Sequence, residues 1–167
     1  MLYHVSIEAN DPHHVASVIA ELWQGEAFAF PPIAGAWIAM AGDERRTAIE
    51  VYPAGTVMRE SAGDADAIGE LRSPTSFTST HAAIATVLDR HAAMAIAERE
   101  GWPTKFRKRG GMFGVIVMWI EGRQMMEVLT PEMQAEYEAA MTNENWRNFL
   151  ASLSASGSAP GSAFRMP

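Results

Sequence analysis

At 167 residues the chain is long enough for one compact domain, or for two small units that share a core. Its net charge of −7 argues against the broad basic surface that a phosphate backbone requires, so nucleic acid is not expected as a partner. The absence of cysteine excludes disulfides, zinc ribbons, iron–sulfur clusters and thiol catalysis, and leaves His, Asp, Glu or backbone oxygen to hold any metal.

The N-terminus MLYHVSIEANDPHH has no basic segment followed by an apolar stretch, so no signal peptide is expected. The longest uncharged apolar run, Gly111 to Ile120, is about half of what a bilayer crossing needs. The expected setting is cytoplasmic, with no membrane partner.

In chain order, the first element is a short strand over Tyr3–Ala9, rich in β-compatible residues. A helix follows, opened by Asp11-Pro12, since Asp accepts from free N–H groups at an N-cap and Pro is tolerated at the first helical position. Val15, Val18, Ile19 and Leu22 give it an apolar stripe, and Gly25 is expected to end it. Three strands are predicted next, at Glu26–Phe30, Ala36–Ala41 and Thr47–Tyr52. Residues 54–79 are richer in Gly, Ser, Asp and Pro and read as a connector.

The pattern then recurs. A strand at Thr80–Thr86 leads to a helix opened by Asp89, with Ala92, Ala95, Ile96 and, less well, Arg99 as its stripe, ending at Gly101. Strands at Thr104–Lys108, Met112–Ile120 and Gln124–Leu129 complete the second unit. Sliding the chain by 77 positions aligns the two copies without a gap. It matches His4, Ile7, His14, Ala16, Ile19, Ala20 and Glu21 with identical residues, and then Glu44, Arg46, Glu50 and Val51. The reading is an α+β fold of tandem βαβββ modules, 1–53 and 80–130, forming a curled mixed sheet with helices outside. A helical extension over 131–153 and a small, polar, flexible tail at 154–167 follow.

Four residues stand out: His4 and His81 at the openings of the first strands, Glu50 and Glu127 inside the last ones, with equal spacing in both copies. Alternation along a strand sends Ile49 and Val51 one way and Ala48, Glu50 and Tyr52 the other. Likewise Met126 and Val128 oppose Met125, Glu127 and Leu129. A carboxylate among apolar neighbours is costly unless it is paired, hydrogen-bonded or bound to metal. Taken singly, each His and Glu is an ordinary surface residue; their joint recurrence is what points to a site.

The segments YHVSIEANDP, TAIEVYP, STHAAIAT and QMMEVLTPE, set in a βαβββ duplication over about residues 1 to 130, resemble the vicinal-oxygen-chelate superfamily. That group includes glyoxalase I, extradiol dioxygenases, fosfomycin-modifying enzymes and metal-free bleomycin-binding proteins. The resemblance is strongest in ligand order to bacterial glyoxalase I, and implies that His4, Glu50, His81 and Glu127 hold one divalent ion per site. Zinc, nickel, cobalt, manganese and ferrous iron suit such a ligand set. It further implies a lyase or isomerase moving a proton on a small 2-oxo or 2-hydroxycarbonyl compound, with Glu50 or Glu127 as base. No glutathione-binding signature accompanies the match. A homodimer is expected, with the site inside one chain or across two. The alternatives are an extradiol-type dioxygenase, disfavoured by a fourth ligand, and a non-catalytic binding protein with Trp37, Trp119 and Tyr52 along its groove.

Residues Tyr52, Arg107, Met125 and Leu129 are candidates for contact with the small-molecule substrate. Arg107 belongs to the basic run Lys105, Arg107, Lys108, Arg109, which reads either as an anion holder or as a charged edge strand protected against aggregation. His13, His14 and His91 fall near helix starts and are most simply exposed. Signatures for phosphate-binding loops, HExxH metalloproteases and GxSxG hydrolases are absent from the sequence.

Overall fold

The computed structural model describes residues 2–62, 67–74 and 78–155, without side chains at 153–155; the expected tail lies outside them from residue 156 onward. The first module runs β1 (His4–Ala9), α1 (Pro12–Trp23), β2 (Glu26–Ala29), β3 (Trp37–Met40) and β4 (Ala48–Pro53). Its sheet has the order β1-β4-β3-β2, with β1 parallel to β4 and the other pairs antiparallel. A hairpin of β5 (Thr56–Arg59) and β6 (Ile68–Leu71) occupies part of the connector. The second module repeats the plan with β7 (Ala82–Ala85), α2 (Arg90–Arg99), β8 (Thr104–Arg109), β9 (Phe113–Ile120) and β10 (Gln124–Leu129), in the order β7-β10-β9-β8. Helices α3 (Pro131–Ala140) and α4 (Asn143–Ala155) follow.

Local chemistry accounts for the helix ends. Asp11 caps α1 by accepting from the His14 N–H at 3.0 Å, and Asp89 caps α2 by accepting from the Ala92 N–H at 2.8 Å. The left-handed residue closing α1 is Gln24 (φ 55°), not Gly25. Gly25 serves a different need: a Cβ there would sit 2.0 Å from the Met40 carbonyl oxygen, so only glycine lets β3 pass.

Val15, Val18, Ile19 and Leu22 are buried as the stripe predicts, but α2 is turned by about one residue from its expected face. It buries Ala93, Ile96 and Ala97, leaving Ala95 exposed, because Arg99 is held at the surface by Glu21 and Glu100. The buried trio is the one matched by identity to Ala16, Ile19 and Ala20. Repeat identity therefore marked the packed face better than periodicity did.

The modules share one apolar cluster, which joins Ile7, Ile19, Ile49 and Val51 to Ile84, Ile96, Ile116 and Val128. Polar links reinforce the join. The Glu121 carboxylate accepts from the Asn10 and Asp11 N–H groups at 2.7 and 2.9 Å, and the Thr86 hydroxyl donates to the Leu22 carbonyl. Alternation along β4 and β10 turns Glu50 and Glu127 away from Ile49, Val51, Met126 and Val128, which lie in this cluster.

Candidate functional site

Parallel pairing puts Ser6 beside Glu50 and Glu8 beside Tyr52, so His4, Ser6 and Glu8 share a face with Glu50 and Tyr52. Glu50 is only 9% exposed. Burial of its charge is made tolerable by two hydroxyl donors to Oε2, Ser6 at 2.8 Å and Tyr52 at 2.6 Å. Its other oxygen lies 3.9 Å from His4 Nε2, and the His4 side chain is largely open to solvent. The Tyr52 ring stacks on Phe30, with centroids 6.2 Å apart, which fixes the hydroxyl over the carboxylate. Burial, followed by donation to Glu50, raises the Tyr52 pKa above its ordinary value.

The second module uses the same scaffold with different partners. Ala83 lies beside Glu127 where Ser6 lies beside Glu50, and Leu129 stands where Tyr52 does, so neither hydroxyl is present. Glu127 instead forms an ion pair with Arg109, and both side chains are largely buried. His81 falls just before β7, exposed, its Nδ1 3.2 Å from the Ser79 carbonyl.

The structure thus brings His4 and Glu50 together. Among the described residues, no three His, Asp or Glu side chains lie close enough to hold a metal ion, so the four expected ligands do not gather within one chain.

Of the expected substrate contacts, Arg107 and Met125 line one cavity of about 300 Å³, together with Lys105, Arg109, Val117 and Trp119. Tyr52 lines another of about 280 Å³, with Ser6, Glu8 and the β5 residues Thr56 to Met58. Leu129 is buried in the core. Ser6 and Arg109 were not singled out from sequence as partners of the two carboxylates. Alternation sets Ser6 on the face of His4, but its pairing with Glu50 is a matter of parallel register, which the sequence pattern does not carry.

Paired βαβββ units, each a curled four-stranded sheet backed by its helix, define the vicinal-oxygen-chelate fold, and this chain has it. Among solved structures it is similar to a lactoylglutathione lyase from Agrobacterium tumefaciens, at 10% identity over 77% of this chain and 91% of that one, with a TM-score of 0.50. It is also similar to the fosfomycin resistance protein FosX from Mesorhizobium loti, at 12% identity over 81% and 95%, TM-score 0.49. A third is the trypanothione-dependent glyoxalase I of Leishmania major, at 14% identity over 94% and 97%, TM-score 0.45. At such identities the likeness is one of fold. No protein-family model and no curated protein matches the sequence.

Proposed function

We propose that this chain is a glyoxalase-like enzyme that moves a proton on a small 2-oxo or 2-hydroxycarbonyl compound, a lyase or isomerase, with Glu50 as its base. The observation that carries this reading is the buried Glu50 carboxylate with one oxygen anchored by Ser6 and Tyr52 and the other turned toward His4. Anchoring one oxygen fixes the direction of the second, as a base that meets a bound C–H requires.

The residues fit a divalent ion in part. Metal–ligand bonds of about 2.1 Å let a single ion reach both His4 Nε2 and the facing Glu50 oxygen across their 3.9 Å separation. Two ligands do not complete a site. The other two, His81 and Glu127, would come from a second copy of the chain, with Glu127 released from Arg109. Zinc, nickel, cobalt, manganese or ferrous iron would serve, supplying Lewis-acid stabilisation of the oxyanion that forms as the proton leaves.

A second reading, metal-free small-molecule binding, is favoured by the Arg109–Glu127 pair, which already neutralises one expected ligand. Metal analysis separates the two. The enzyme reading expects roughly one divalent ion per site in a dimer, metal affinity lowered more than tenfold in His4→Ala, and isomerisation of methylglyoxal hemithioacetal or a related hydroxycarbonyl. Protein that retains none of the five metals and turns over no such substrate is not this enzyme.

A further inference from the structure

We infer that the open face of the second sheet is a binding site for a small organic anion, a carboxylate or phosphonate on a flat apolar body. The cavity of about 300 Å³ there is lined by Lys105, Arg107 and Arg109 and by Trp119, Val117 and Met125, with Glu127 beside it holding Arg109. In a chain of net charge −7, three cations along one wall are a concentrated exception. The volume lies at the small end of the roughly 300–1,000 Å³ typical of ligand pockets, which sets the scale of the ligand.

The division of labour follows from the strand register. Lys105, Arg107 and Arg109 alternate with Phe106 and Lys108 along β8, so all three share the face of Val117, which pairs with both Lys105 and Glu127. Trp119 pairs with Met125 beside them. Cations therefore form one wall and an aromatic, thioether and aliphatic surface the floor, the combination that holds an anion attached to a flat ring. Because Arg109 is committed to Glu127, Lys105 and Arg107 carry the attraction; among the described residues neither takes part in an ion pair. Arg107 is half-buried and presents a planar fork that meets a carboxylate through two parallel hydrogen bonds.

β8 is an edge strand, and exposed charges on an edge also discourage pairing with other chains. That role calls for side chains extended into water. It does not account for Arg107 lying half-buried in a cavity shared with Val117, Trp119 and Met125.

The test titrates the full-length protein, stripped of metal with a chelator, with benzoate and phenylphosphonate, using benzamide as the neutral isostere, and follows heat and tryptophan emission. Saturable binding of the anions at least tenfold tighter than that of benzamide is expected. It should weaken with salt, be lost at least tenfold in Arg107→Gln and in Lys105→Gln, and lose its emission change in Trp119→Phe. Circular dichroism checks that each variant folds. Equal binding of benzamide, indifference to both charge substitutions, or no binding of any probe overturns the inference. Because the protein is metal-free, the result is independent of the metal reading: bound anion without metal affinity sinks only the enzyme proposal, and bound metal without anion affinity sinks only this one.

Discussion

Tyr52 and Ser6 decide what Glu50 is able to be. The same strand position in the second module, Glu127, has the same letter and the same face but a guanidinium in place of two hydroxyls. Alternation along the strand was enough to place both carboxylates on the open face. The loss of hydroxyls was also readable, since Ala83 and Leu129 stand at the matching positions. The choice of Arg109 was not, because it depends on how far β8 curls over β10. The raised Tyr52 pKa makes this arrangement measurable. In an ultraviolet titration of the three tyrosines, one should ionise above the ordinary value of about 10, and Tyr52→Phe should remove that step. The folded chain keeps a proton that the unfolded chain has released, so this contribution to stability is lost as pH rises past about 10. The substitution also removes a hydrogen bond to a charged group and should cost roughly 1.5–3 kcal/mol in urea unfolding. Three tyrosines ionising alike, before and after substitution, would refute the contact.

At the scale of elements, the gap-free repeat hides a slip. Glu50 pairs with Ile38 and Phe28 with Ile38, whereas Glu127 pairs with Val117 and Lys105 with Val117. The offset of 77 therefore equates β2 with β8 and β4 with β10, but β3 and β9 are displaced by two further residues. A slip of two preserves which face each side chain takes, so alternation carries no trace of it. The strands and their faces were legible from sequence, while register was not. One consequence concerns Glu44 and Glu121, identical under the gap-free alignment but set in turns of different length. Glu121 accepts from two N–H groups at the entrance to α1, whereas Glu44 is exposed. Glu121→Ala should destabilise the fold by about 1–3 kcal/mol, and Glu44→Ala should stay within about 0.5 kcal/mol of the parent. Equal effects in denaturant titrations would mean that the Glu121 contacts contribute nothing to joining the modules.

For the molecule as a whole, the join between modules carries a pH dependence. Arg99 on α2 donates to Glu21 on α1 at 2.9 and 2.6 Å and to Glu100 at 2.7 Å, and His14 Nε2 lies 2.6 Å from Glu100. The Arg99 hydrogen bond is the main cause that lowers the Glu21 pKa below 4.5. For Glu100, burial pushes upward, but the hydrogen bonds from Arg99 and His14 outweigh it and the net shift is again downward. Groups with depressed folded pKa values contribute stability that is fully present above about 4.5 and is lost as pH falls through the folded values. The overall charge works the other way. From −7 at pH 7, protonation brings the chain toward neutrality and relieves self-repulsion, so the parent curve alone does not isolate the join. Comparison with Arg99→Met does. As pH falls from neutrality through the lowered carboxylate values the parent should lose more stability than the variant, the two curves converging once the carboxylates they differ over are neutral. Glu21 is 46% exposed and its share should fade in salt, whereas the Glu100 side chain is only 10% exposed and its share should persist. Parallel curves at every pH would show that these ion pairs sit on the surface of the join without holding it.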